Sequence, residues 1–220
     1  MIRGLIFDFD GLILDTELPG VQCWQELYRE YGCTFPTSTY ANSIGTLPRS
    51  FKVYDHLEAQ IGRPLDRDAL QQRRLQRCIE LIEQQSVLPG VEDYLREAKQ
   101  RGLRLGIASS SSREWVAGHL ERLELLSLFD CLSCGDAVTA TKPHPELYLA
   151  ALSSLQLHPY EALAFEDSPP GVTAAKAAEI FCIAVPNAVT QQLSLAHADM
   201  QLPSLTEMSF AELLEAVEKK

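Results

Sequence analysis

Two hydrophobic periodicities alternate along the chain. Leu5, Ile6, Phe7 and Phe9 make an apolar run that predicts a buried strand ending at two aspartates, Asp8 and Asp10. From there the spacing turns helical: Val21, Trp24, Leu27, Tyr28 and Tyr31 form a stripe, with Thr16 placed as N-cap and Gly32 as stop. A polar stretch through Thr37, Ser38 and Thr39 precedes a second helical pattern over about residues 49–61, which Gly62 and Pro64 break. Asp66 opens a third helix, with Leu75, Cys78, Ile79 and Ile82 on one face and Arg73, Arg74 and Arg77 around the others. Residues 16–88 are therefore expected to be wholly helical.

Beyond Pro89 and Gly90 the pattern alternates. Residues 91–101 read as a helix, 103–108 as a strand, and the helix behind Ser109 is assigned a capping box at Ser111 and Glu114. A strand over 129–133 precedes a helix from Pro145 that turns Tyr148, Ala151, Leu152 and Leu155 inward. Residues 163–165 form a strand ending in Glu166 and Asp167, with Ser168 and Pro169 suited to start the next helix. A strand over 180–185, an extended segment near Met200 and a helix over 209–217 complete the chain. Such alternation predicts an α/β fold: a Rossmann-like parallel sheet with helices on both faces, formed by residues 1–15 and 89–220, plus an inserted α-helical unit over 16–88. Right-handed crossovers gather the strand C-termini at one edge, where ligands bind.

Composition narrows the function. A net charge of −11 over 220 residues disfavours nucleic acid or an anionic membrane surface as partner. No stretch is apolar enough to span a bilayer and no signal-peptide pattern is present, so a cytoplasmic location is expected. Of six cysteines only Cys131 and Cys134 form a C-x-x-C, and three positions along a strand separates them onto opposite faces; reduced core thiols are expected rather than zinc.

Four predicted strand ends carry polar residues: Asp8 with Asp10, Ser109, the loop to Lys142, and Glu166 with Asp167. If strand geometry persists to Asp10, both aspartates emerge on one side, where repulsion calls for a divalent cation, a shared proton or separate catalytic roles.

The series resembles the four motifs of the haloacid dehalogenase superfamily. Asp8, Asp10, Gly11, Asp15 and Thr16 match D-x-D-G-x-x-x-D-[ST]; Ile107-Ala108-Ser109, Lys142-Pro143 and Glu166-Asp167-Ser168 match the other three. The resemblance implies a nucleophilic Asp8, an acid/base Asp10, phosphate held by Ser109, Ser110 and Lys142, and Mg2+ held by Asp8, Asp167, the Asp10 carbonyl and Glu166 through water. Ser111 is expected to offer its free N–H to phosphate as well. It also implies that the helical insert is a cap. The expected activity is Mg2+-dependent hydrolysis of a small phosphorylated metabolite through an aspartyl phosphate. Within the superfamily the texture is similar to the β-phosphoglucomutase and small-sugar phosphatase subgroup. The mutases carry a His shortly after the first motif where this chain reads Glu17-Leu18-Pro19-Gly20, which favours water as acceptor. Arg49 falls near the mutases' phosphate-binding Arg, which keeps phosphomutase activity as the alternative. Among non-enzymes, a phosphoreceiver would place its acceptor Asp mid-chain and lack the insert, and a binding protein for phosphorylated metabolites would not need every catalytic residue type.

Overall fold

In the computed structural model, which describes residues 1–41 and 51–218, six short strands pair in parallel. They are β1 (Gly4–Phe7), β2 (Arg104–Ser109), β3 (Cys131–Cys134), β4 (Ala162–Glu166), β5 (Phe181–Ala184) and β6 (Met200–Gln201), in the order β3-β2-β1-β4-β5-β6. Gly4 to Phe7 stand opposite Arg104 to Ile107 on one side and Ala162 to Phe165 on the other, which makes β1 central. Because side chains alternate, Leu5 and Phe7 join one apolar layer while Ile6 joins the other.

The first layer packs α5 (Val91–Gln100), α6 (Arg113–Arg122) and α9 (Phe210–Glu218) against the sheet. Phe7 stacks on Phe165 at 4.6 Å, and Tyr94 meets the edge of Phe165 at 5.9 Å while its hydroxyl donates to the Met208 carbonyl. On the opposite face α7 (Glu146–Leu155) and α8 (Pro169–Ala177) bury Leu147, Ala151, Val172 and Ala175. Cys134 belongs to the first layer and Cys131 packs on the second, as their spacing predicts, and the six thiols are free.

Between β1 and β2 lie α1 (Glu17–Glu30), α2 (Thr37–Ala41), α3 (Val53–Ile61) and α4 (Arg67–Glu83). Trp24, Tyr28, Phe35, Tyr40, Leu57 and Leu70 form a third apolar cluster, which Val189 from beyond β5 also joins. Where it returns to the sheet, Arg122 of α6 donates to the carbonyls of Glu83 and Gln85 at 3.0 and 3.1 Å, satisfying groups that the end of α4 leaves open.

Local chemistry departs from expectation at five places. β1 ends at Phe7 and only the Asp8 N–H carries its ladder one bond further; Asp10 sits in a turn made possible by Gly11 at φ +85°, so a loop rather than strand alternation aims its side chain. The start of α1 is capped by Asp15, which accepts from the N–H groups of Glu17 and Leu18, and Thr16 makes no side-chain cap bond. Ser112, not Ser111, caps α6 by accepting from Trp115 N, because the Ser111 hydroxyl is drawn to Asp10 instead. Thr37–Ala41 coils into a short helix. On α4, Leu75 and Ile79 stay 43 % and 37 % exposed while Cys78 and Ile82 are buried.

Candidate active site

Each strand end predicted to be polar delivers its residue to one edge of the sheet. Asp8 follows β1, its N–H continuing the ladder to the Phe165 carbonyl; Ser109 ends β2; Glu166 ends β4 and Asp167 follows it; Lys142 reaches in from the loop after β3. Asp8, Lys142, Ser109, Glu166 and Asp167 are all buried. The Lys142 ammonium lies 2.6 Å from Asp8 Oδ1 and 2.6 Å from Glu166 Oε1, so one cation ties the ends of two adjacent strands together.

Three carboxylates outnumber that ammonium. Asp8, Glu166 and Asp167 each present an oxygen within 4.8 Å of the others. Burial raises the pKa of Asp8 against the pull of Lys142, and raises Glu166 from its ordinary 4.5 to about 7 in the same way. Asp167 is pushed well up, first by burial and then by the charges of Asp8, Glu166 and Glu17. Burial opposes the Lys142 ammonium, but Asp8 and Glu166 outweigh it and lift its pKa above the usual lysine range. Excess negative charge among buried side chains must be met by protons or a cation. An oxygen-only donor set with no His or Cys suits Mg2+.

The Asp10 carboxylate stands apart from this trio. Its Oδ2 accepts from the hydroxyls of Ser111 at 2.6 Å and Ser109 at 3.4 Å, and its Oδ1 accepts from the Trp115 indole at 2.9 Å. The Ser111 N–H, expected to be free for an anion, donates instead to Ser109 Oγ at 3.1 Å. Ser110 is exposed beside them. Arg49 lies outside the described residues. Of the other insert arginines, Arg73 pairs with Glu30, Arg77 with Glu26, and Arg74 lies over the Trp24 ring at 4.3 Å.

Sequence reasoning missed three residues here. Tyr148, read as core alone, donates its hydroxyl to Glu166 Oε1 at 2.5 Å and places its ring 5.5 Å from the Lys142 ammonium. Asn187 donates to Asp167 Oδ2 at 2.7 Å and to the Gly11 carbonyl at 3.1 Å, while its own Oδ1 accepts from Val189 and Thr190 N–H groups. It follows the end of β5, so extending the strand-end rule by one strand would have found it. Trp115, in the first turn of α6, had no local signal.

Gly171 gives Glu166 its room: a Cβ there would lie 1.7 Å from Glu166 Oε2. Gly171→Ala is expected to cost about 1–3 kcal/mol of stability through overpacking. A melt showing no loss would mean that Glu166 can leave its seat freely.

A profile of the family described as haloacid dehalogenase-like hydrolase matches residues 5–185. The Bacillus subtilis protein named "Putative phosphatase YhcW" is 45% identical over 215 residues, which cover 98% of this chain and 97% of that one. Hexitol phosphatase B of Escherichia coli is 30% identical, with 97% of each chain covered. Among solved structures, CbbY from Rhodobacter sphaeroides in complex with phosphate superposes with a TM-score of 0.72 at 28% identity, covering 94% of this chain and 96% of that one.

Proposed function

The chain belongs to the haloacid dehalogenase-like hydrolases, and from that premise we propose that it is a Mg2+-dependent phosphatase acting on a small, sugar-like phosphorylated metabolite through an aspartyl phosphate on Asp8. The observation that carries this reading is the buried Lys142 ammonium, 2.6 Å from both Asp8 and Glu166, with Asp167 completing the acidic trio. The name of the hexitol phosphatase relative supports the substrate class. Among the described residues no helix is long and apolar enough to cross a membrane.

Asp8 attacks phosphorus in line with the leaving oxygen, and Lys142 neutralises charge on both partners. Asp10 gives a proton to the leaving alcohol and then takes one from the water that opens the acyl phosphate, returning Asp8 and releasing phosphate. Ser109 and Ser110 hold phosphoryl oxygens at the start of α6. Asp8, Asp167 and the Asp10 carbonyl, with Glu166 behind them, would hold Mg2+, which would supply the positive charge that lets a phosphate dianion approach a carboxylate. In this reading residues 1–15 and 89–220 are the catalytic core, and residues 16–88 close over the site as a cap and select the substrate.

Phosphate release from a panel of phosphorylated sugars and polyols tests the activity. EDTA is expected to abolish it and added Mg2+ to restore it; full activity in EDTA contradicts the reading. Incubation with β-glucose 1-phosphate and a catalytic bisphosphate separates hydrolysis from mutase chemistry, since glucose 6-phosphate without free phosphate would reverse the assignment.

The raised carboxylate pKa values add a pH dependence. Between 4.5 and about 7 the metal-free native protein keeps the Glu166 proton that the unfolded chain has lost. Its contribution to stability is therefore fullest below 4.5 and declines as pH rises to about 7. Protons and Mg2+ compete for the same oxygens, so the Mg2+ concentration giving half-maximal activity is expected to rise as pH falls below about 7. A requirement independent of pH over that range contradicts the assigned ligands.

A further inference from the structure

The Asp10 carboxylate is held by partners of two chemical kinds. An indole N–H can only donate, so Oδ1 remains an acceptor while Trp115 keeps its 2.9 Å contact. A serine hydroxyl can reverse from donor to acceptor, and Ser111 at 2.6 Å and Ser109 at 3.4 Å both face Oδ2. Of the two oxygens, Oδ2 alone faces partners that can either donate or accept. The indole itself is well supported. Its ring meets His119 edge-on at 4.3 Å, His119 in turn lies 6.3 Å from Phe9, and the adjoining Val116 and Leu120 are fully buried.

We propose that Trp115 is a positioning residue for the reaction: its indole N–H anchors Oδ1 of Asp10 and presents Oδ2 as the oxygen that gives and takes the proton. The inference rests on Asp10 being the acid/base of the proposed hydrolysis.

Trp115 also lines a cavity of about 390 Å³ between α4 and α6, together with Ile79 and His119, so a phenylalanine fits in its place with the loss of the N–H as the main change. Trp115→Phe is compared with the parent protein on two substrates. An alkyl phosphate such as sorbitol 6-phosphate needs its leaving alcohol protonated; p-nitrophenyl phosphate does not. The expected result is a kcat about 10–100-fold lower on the alkyl ester, with KM within about twofold and the rate of the nitrophenolate burst within about threefold. Equal losses in the phosphoryl-transfer step on both substrates, or a change confined to KM, overturn the proposal. Asp10→Ala run in parallel separates the two layers: it must show the same leaving-group contrast, more steeply. Equal losses in the phosphoryl-transfer step of Asp10→Ala would remove the assignment of Asp10 as general acid, whatever Trp115→Phe does.

Fluorescence gives a readout independent of turnover. The chain has two tryptophans, so in a Trp24→Phe background emission comes from Trp115 alone. Adding Asp10→Ala is expected to shift that emission, and superimposable spectra contradict the contact.

Discussion

Asp8→Asn is expected to lower turnover by about 10⁴-fold or more while leaving the protein folded. The amide keeps the shape of the carboxylate but cannot form the acyl phosphate, so the two-step route is closed. The substitution also removes one of three crowded carboxylates, and burial already disfavours the charge at this position. Glu166 remains at 2.6 Å to pair with Lys142. The melting temperature should therefore hold or rise even as activity is lost, the pattern expected where a site stores unfavourable charge for function. Turnover within tenfold of the parent would show that another group attacks phosphorus.

Lys142→Met should damage stability and turnover together. Removing the ammonium leaves Asp8 and Glu166 buried without their shared partner, a change that costs about 3–5 kcal/mol when a buried charge is stranded. The loss should be smaller in acid, because Glu166, raised to about 7 even beside Lys142 and further without it, then takes up a proton. Denaturant melts at about pH 5 and pH 8 compare the two cases, and Mg2+ should recover part of the loss at the higher pH. Turnover should fall by about 10²–10³-fold, the scale of removing one preorganised electrostatic contact. A loss of stability equal at both pH values would place the damage in packing rather than charge.

The parts of the fold that could be read from the sequence are those governed by neighbours in the chain. The run Leu5 to Phe7 is buried on both faces and so carries no alternation, yet its length and apolar character mark a central parallel strand. Asp66 and Ser168 cap α4 and α8 as expected, since each needs only the N–H three residues ahead. Ser111 was misjudged as a cap because its hydroxyl is drawn to Asp10, a hundred positions away in the chain. Ile79 repeats the error in an apolar residue: its helical spacing predicts burial, but the space between α4 and α6 beside it is open. Tyr148, Asn187 and Trp115 act through partners at least eighteen residues distant, and no local pattern separates an inward tyrosine that packs from one that also donates to Glu166. The site was legible to the extent that parallel topology collects strand ends at one edge. Of the side chains that orient those ends, Asn187 obeys the same rule one strand further on, whereas Tyr148 and Trp115 come from helices, about which the rule says nothing.

The first destination of the phosphoryl group decides between nucleophilic attack by Asp8 and every other route. Acid quenching during turnover with Mg2+, followed by peptide mass spectrometry, should find one phosphoryl group on the peptide containing Asp8, reducible by borohydride and absent from Asp8→Asn. Steady release of phosphate with no phosphoryl group on Asp8, in a rapid-quench series reaching the first turnover, would contradict the nucleophile and the mechanism built on it.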